Sequence, residues 1–402
     1  MKYTILVIMF LIFVSCNTET KSKQENSETP TKTQKRLKKI DLPIEIIQAE
    51  VSYLSSPIHA NNTTQLNYEL NILNNYRIPL SLKKVEIFDL QNNDFPIAVF
   101  DSLYIEEHFD RPGANDLDDL KLISGNEYGI LHINLVFDTN KSTPDQIFHK
   151  LYFERLNKKN ERIVHPMEVA IVNVPKPTEL SLGLPFNKKG KWLYGAESHE
   201  GARFITEGKA TYPQRFGMDW VFIDNDGLLA KDDIKENKNW NTYGIELISV
   251  ADGKVIDIKD GIIENEPLSE EMAVRITKET IGGNYIIIDI GNNIHAFYGH
   301  LIPNSLKLSI GDNVKKGQTI GLLGNSGNSD APHLHFHLES KSNDFLGGEG
   351  IPYLITEFTQ LKKYSVEEFD QLFNENNVSL DALKPIEKSN ELPSGYGLIE
   401  VK

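Results

Sequence analysis

The chain has 402 residues, a formal net charge of −15 and a single cysteine. Its length leaves room for two or three domains, and its hydrophobic content of 40% is ample for buried cores. The excess of acid argues against nucleic acid or anionic membrane surfaces as partners, and one cysteine excludes an internal disulfide.

The chain opens with Met1-Lys2-Tyr3, an apolar run from Ile5 to Val14, and Ser15-Cys16. A positive start, an apolar stretch too short to span a bilayer and a small residue at the break form a secretory signal pattern. Phe13-Val14-Ser15-Cys16 resembles a bacterial lipobox, with Phe13 where leucine is more usual. The resemblance implies cleavage before Cys16 and lipid on its thiol, hence an expected place in the cell envelope, anchored to a membrane through lipidated Cys16. The expected divisions are a signal peptide at 1–16, a flexible tether at 17–40, a β-sandwich domain at 41–175 and a second domain at 176–402. The tether is rich in Lys, Glu, Thr, Ser and Gln and has too few apolar residues to bury a core.

From Ile40 to about Val174 the pattern is all-β. Strands are predicted over 44–54, 65–73, 80–90, 97–105, 128–137, 147–156 and 162–172. Leu66, Tyr68, Leu70 and Ile72 show the two-residue period of a strand with one buried face. About seven short strands over this length predict an immunoglobulin-like sandwich, a spacer or docking module whose protein partner the sequence leaves unknown. His59, His108, His132, His149 and His165 are scattered through it and form no catalytic pattern. Val174-Pro175-Lys176-Pro177 predicts a stiff linker.

Beyond the linker, two hairpins are predicted. One turns at Asp252-Gly253; the other joins Tyr285–Ile290 to Ile294–Leu301 through Gly291-Asn292-Asn293. Ser365-Val366-Glu367-Glu368 is a capping box that opens a short helix. The most informative stretch is 311–339, in which His333, His335 and His337 alternate with Leu334, Phe336 and Leu338. In a strand, the three imidazoles share one face and the apolar residues the other. Two further segments carry polar groups to the same cleft, Arg215-Phe216-Gly217-Met218-Asp219 and Tyr298-Gly299-His300. His335 and Asp219 have the chemistry of metal ligands, and His333 and His300 that of proton carriers and oxyanion stabilisers.

Asp219, Tyr298-Gly299-His300-Leu301 and the 332–338 strand together resemble the lysostaphin/LytM-type zinc metallopeptidases, over roughly Phe186 to Val401. The resemblance implies an antiparallel β-sheet peptidase domain of the duplicated hybrid motif type, so the fold expected for the whole chain is mainly β, the immunoglobulin-like sandwich followed by that domain. It also implies one zinc ion and cleavage of peptide bonds in cell-wall peptidoglycan. By position, Asp219 and His335 become zinc ligands, His333 the general base or acid and His300 the second catalytic histidine.

The family's first motif is His-x-x-x-Asp, and this chain has Arg215 four residues before Asp219. In a strand the two share a face, and a guanidinium has no lone pair to give a metal. Either Arg215 pairs with Asp219 and the metal is lost, or it turns aside and another donor completes the site. His199 is the candidate replacement. His337 is a further possibility, placed better behind His335 as its hydrogen-bonding partner. His295, on the opposite parity from His300, is expected to be structural. The expected function is therefore a zinc metalloendopeptidase. The alternative is a catalytically degenerate member that serves as a wall-binding or activator module.

Overall fold

The computed structural model describes residues 46–114, 119–138, 141–157, 159–196, 199 and 201–402. The expected signal peptide, Cys16 and the tether lie outside the described residues. The described residues pack as one compact unit.

The first part of this unit is a two-sheet sandwich. One antiparallel sheet holds β1 (Ile47–Leu54), β2 (Thr63–Asn74) and, later in the chain, Tyr128–Asp138. The facing sheet runs β3 (Leu80–Asp89) between a short β4 (Ala98–Phe100) and Gln146–Leu156, with Arg162–Asn173 at its edge. Leu66, Tyr68, Leu70 and Ile72 are each at most 1% exposed and face the core between the sheets, as their alternation predicts. The other face of β2 carries polar residues, Glu69 among them.

The strand predicted over 97–105 is a correction. After β4 the chain turns into α1 (Ser102–His108), because the Asp101 carboxylate accepts the backbone N–H groups of Leu103 and Tyr104 and caps a helix. The scattered histidines have local partners. His149 is fully buried; its Nδ1 donates to the Ala170 carbonyl at 2.9 Å and its Nε2 accepts from the Tyr68 hydroxyl at 2.8 Å. Burial pushes its imidazole down to about 4. Neutral in the fold and free to protonate once unfolded, His149 contributes stability that is complete above pH 6.5 and lost as pH falls toward 4. Urea unfolding of metal-free protein at pH 7.0 and 4.5 is expected to show a loss about 2 kcal/mol larger in wild type than in His149→Gln.

The second part is built on one long, mostly antiparallel sheet. Its central strands are, in chain order, β5 (Gly190–Gly195), β6 (Met218–Ile223), β7 (Asn284–Asp289), β8 (Ile294–Leu301) and β9 (Leu334–Ser340). In space they lie in the order β5, β6, β9, β8, β7. Leu334, Phe336 and Leu338 are at most 1% exposed and join Trp192, Trp220, Ile286 and Tyr298 in one core. Ile58 and Ala60 of the sandwich are buried in this same core, so the two parts share apolar surface.

The hairpin at Gly291-Asn292-Asn293 forms as expected, β7 against β8. The hairpin at Asp252-Gly253 does not. Glu246–Ile248 pairs with Thr319–Leu322, while Gly253–Lys259 pairs with β7 and with Asn313–Val314. The Asp252 carboxylate takes the Lys315 ammonium at 2.8 Å and the Lys316 backbone N–H at 2.9 Å. This ties the turn to a distant loop, not to its own flanks. Ser365 and Glu368 form the predicted capping box of the helix Val366–Glu375.

Candidate metal centre

The site is laid out by strand register. β6 pairs with β9 so that Asp219 stands opposite His335, and β9 pairs with β8 so that His335 stands opposite Gly299. Gly217 leaves room for His335, since a Cβ there would lie 3.1 Å from its ring, and Gly299 leaves room for Phe297, which a Cβ would strike at 2.8 Å. On the other side, Gly195 at the end of β5 pairs with Asp219, and His199 follows four residues later in the chain.

His199 Nε2 is 2.8 Å from Asp219 Oδ2, and His335 Nδ1 is 2.9 Å from Asp219 Oδ1. The ligand atoms of the three residues all lie within 4.8 Å of one another. Donors about 2.0–2.1 Å from a tetrahedrally coordinated ion stand about 3.3 Å apart. A carboxylate and two imidazoles at these separations fit a divalent cation with only small side-chain movements.

The electrostatics suit the same role. Burial would raise Asp219, but His199, His333 and the hydrogen bonds from His199 and His335 hold it well below the usual carboxylate range. Burial, reinforced by His199, lowers His335 to about 4, so its imidazole is neutral. Burial opposes charge on His199 too, yet the Asp219 carboxylate beside it keeps its imidazole above its ordinary value. A metal ligand must be deprotonated, and the anion and neutral His335 are ready for that.

Two more imidazoles flank the group. His333 stands just before β9, with Nδ1 2.8 Å from the Ala331 carbonyl and 3.2 Å from Ser329 Oγ. The carbonyl can only accept, so Nδ1 carries the proton, and in the neutral ring Nε2 is left with its lone pair, 3.6 Å from Asp219 Oδ1. His300 is fixed likewise by the Ser326 carbonyl at 2.7 Å, and its ring centre is 4.7 Å from that of His333. Burial and the two neighbouring histidines push His300 well down, so it too presents a neutral Nε2.

The side-chain alternation of β8 fails at His300. His295, Phe297 and Gly299 face the site's side of the sheet, opposite Glu339, His337 and His335. His300 reaches the site from the other parity because its backbone is left-handed, with φ of 63°.

Arg215 also departs from expectation. It lies in a turn closed by Arg215 N–Tyr212 O at 3.3 Å and Gly217 N–Gln214 O at 2.8 Å, not in a strand, so it shares no face with Asp219. Its guanidinium pairs with Glu69 and Glu349, so of the two alternatives the structure holds the one in which Arg215 turns aside from Asp219. His337 lies behind His335, with Nδ1 2.9 Å from His335 Nε2, and stacks on Phe297. Among the described residues its own buried Nε2 has no partner. Gln214, whose amide is 3.3 Å from His335 Nε2, is a neighbour that motif reasoning passed over, although it adjoins Arg215 in the sequence.

An antiparallel sheet that gathers a carboxylate and imidazoles in this way can hold a divalent cation with further imidazoles beside it. Residues 241–345 match the profile of peptidase family M23. The matched segment takes in His300, His333, His335 and His337 and leaves out His199 and Asp219. An uncharacterized metalloprotease of Buchnera aphidicola is 28% identical over 170 residues, 41% of this chain and 41% of that protein. The peptidoglycan DD-endopeptidase ShyA of Vibrio cholerae is 43% identical over 56 residues, 14% of this chain and 13% of that one. The chain thus spans less than half the length of either relative. The catalytic domain of lysostaphin from Staphylococcus simulans is 21% identical, with a TM-score of 0.22 over 42% of this chain and 88% of that domain.

Proposed function

We propose that this protein is a zinc metalloendopeptidase, lipid-anchored at the cell envelope, that hydrolyses peptide bonds in peptidoglycan. The observation that carries the reading is the meeting of His199, Asp219 and His335, with ligand atoms within 4.8 Å, beside two imidazoles whose Nε2 atoms are free to accept. The likeness to a peptidoglycan endopeptidase supports the substrate class. The sequence Phe13-Val14-Ser15-Cys16 supports the anchor.

In this reading His199, Asp219 and His335 hold zinc. Bound there, it would polarise the scissile carbonyl and make a water acidic enough to attack near neutral pH. With His335 Nδ1 turned to the ion, its Nε2–H donates to His337 Nδ1, which fixes the ring. His333 Nε2 takes the proton of the attacking water and returns it to the leaving amine. The oxyanion role implied for His300 requires a proton on its Nε2. While that ring is neutral, it instead accepts a hydrogen bond from water or substrate.

The metal-free alternative rested on Arg215, and its guanidinium is turned away toward Glu69. The test is metal analysis of the purified full chain beside His199→Ala, followed by digestion of peptidoglycan and mass spectrometry of the fragments. About one zinc per chain, lost in the variant, together with new peptide termini, is the expected result. Absence of zinc at any supplied concentration would leave only a wall-binding module.

A further inference from the structure

Arg215 is a fully charged side chain only 1% exposed. Its Nε meets Glu69 Oε1 at 3.2 Å, its Nη2 meets Glu69 Oε2 at 2.5 Å, and its Nη1 reaches Glu349 Oε2 at 3.4 Å. The rings of Tyr53 and Tyr212 lie 5.5 and 5.3 Å from the guanidinium. Glu69 and Tyr53 belong to the sandwich; Tyr212, Arg215 and Glu349 belong to the part that carries the metal centre. Gly350 presses against the turn, where a Cβ would lie 2.9 Å from both Arg215 Cβ and the Tyr212 carbonyl.

We propose that Glu69 is a positioning residue for the metal centre. By holding Arg215 in the seam, it fixes the turn at 212–217, which places Gln214 beside His335 and starts the strand that bears Asp219. The sandwich is then a working part of the site, not a spacer. This inference rests on the metal-binding reading above.

The physical reason is the permanence of the charge. A guanidinium does not lose its proton at working pH, so without Glu69 it cannot stay buried as it is. It must leave the seam and pull the turn with it. The carboxylate four residues along the chain is Asp219, where an arriving cation would compete directly with a metal. A clamp that merely adds stability would lower the unfolding temperature and leave zinc affinity of the folded protein unchanged.

The test uses the full chain as Glu69→Gln and as the double variant Glu69→Leu/Arg215→Met. Zinc dissociation constants are measured by competition with a chromophoric chelator, at a temperature where circular dichroism shows each protein folded. Glu69→Gln is expected to weaken zinc binding by roughly 10- to 100-fold. The double variant, which leaves no charge in the seam, is expected to return to within about threefold of wild type. If Glu69→Gln does not fold, Glu69→Asp is measured in its place; it keeps the charge but is too short for both bonds. Wild-type affinity in the single variant, or a double variant as weak as the single, would overturn the role of Glu69. A wild-type protein that binds no zinc would sink the peptidase reading itself, and this role with it.

Discussion

Replacing His335 by alanine is expected to empty the metal site and stop cleavage together. His335 is 1% exposed and central: Nδ1 faces Asp219, Nε2 faces His337 and Gln214, and the ring of His199 crosses it at 4.5 Å. Without it only Asp219 and His199 remain of the close group, and two donors do not make a stable zinc site. The Lewis-acid contribution lost is about 5 kcal/mol, which corresponds to a fall in rate of roughly 10⁴-fold. Inductively coupled plasma mass spectrometry gives the metal content, and chromatography of digested peptidoglycan gives the rate. Full zinc occupancy in this variant would remove His335 from the ligand set.

His333→Ala is expected to separate the two properties. The hydrogen bonds to Ala331 and Ser329 hold the His333 ring so that Nε2 looks into the site as a base, and the ring makes no hydrogen bond to His199, Asp219 or His335. Zinc content should stay at the wild-type level while kcat falls roughly 10²- to 10⁴-fold and KM changes little. The informative failure is a loss of metal along with activity. With Nε2 only 3.6 Å from Asp219 Oδ1, His333 would then be a ligand, and His199 would need another role.

The parts of the fold that were legible in the sequence were those governed by local period. The alternation of the 333–338 stretch predicted which side chains enter the core, and Leu334, Phe336 and Leu338 do so. The chemistry of a guanidinium was enough to look for a substitute ligand, and His199 lies against Asp219. What was not legible depends on long-range contacts. Nothing near Glu69 in the sequence marks it as the partner of Arg215, because the two meet across 146 positions. Asp252-Gly253 has the composition of a hairpin turn, but two lysines of another loop capture its carboxylate. Asp101 followed by apolar residues reads equally as a strand continuing or a helix beginning, and only its hydrogen bonds decide. Parity along β8 put His300 and His295 on opposite faces, and that rule cannot foresee a residue whose backbone leaves the strand conformation.

That backbone has a consequence for how the protein can change. At φ of 63° an L-residue with a bulky side chain is held about 1 kcal/mol or more above what glycine or asparagine would need at the same place. The neighbours over-determine it: the His300 amide is bonded to Gly282 and the ring to Ser326. Selection for heat resistance alone would therefore favour relieving this backbone, whereas the role proposed for the His300 ring would keep the imidazole. Under the proposed reaction, thermostability and catalytic competence pull in opposite directions at this one residue.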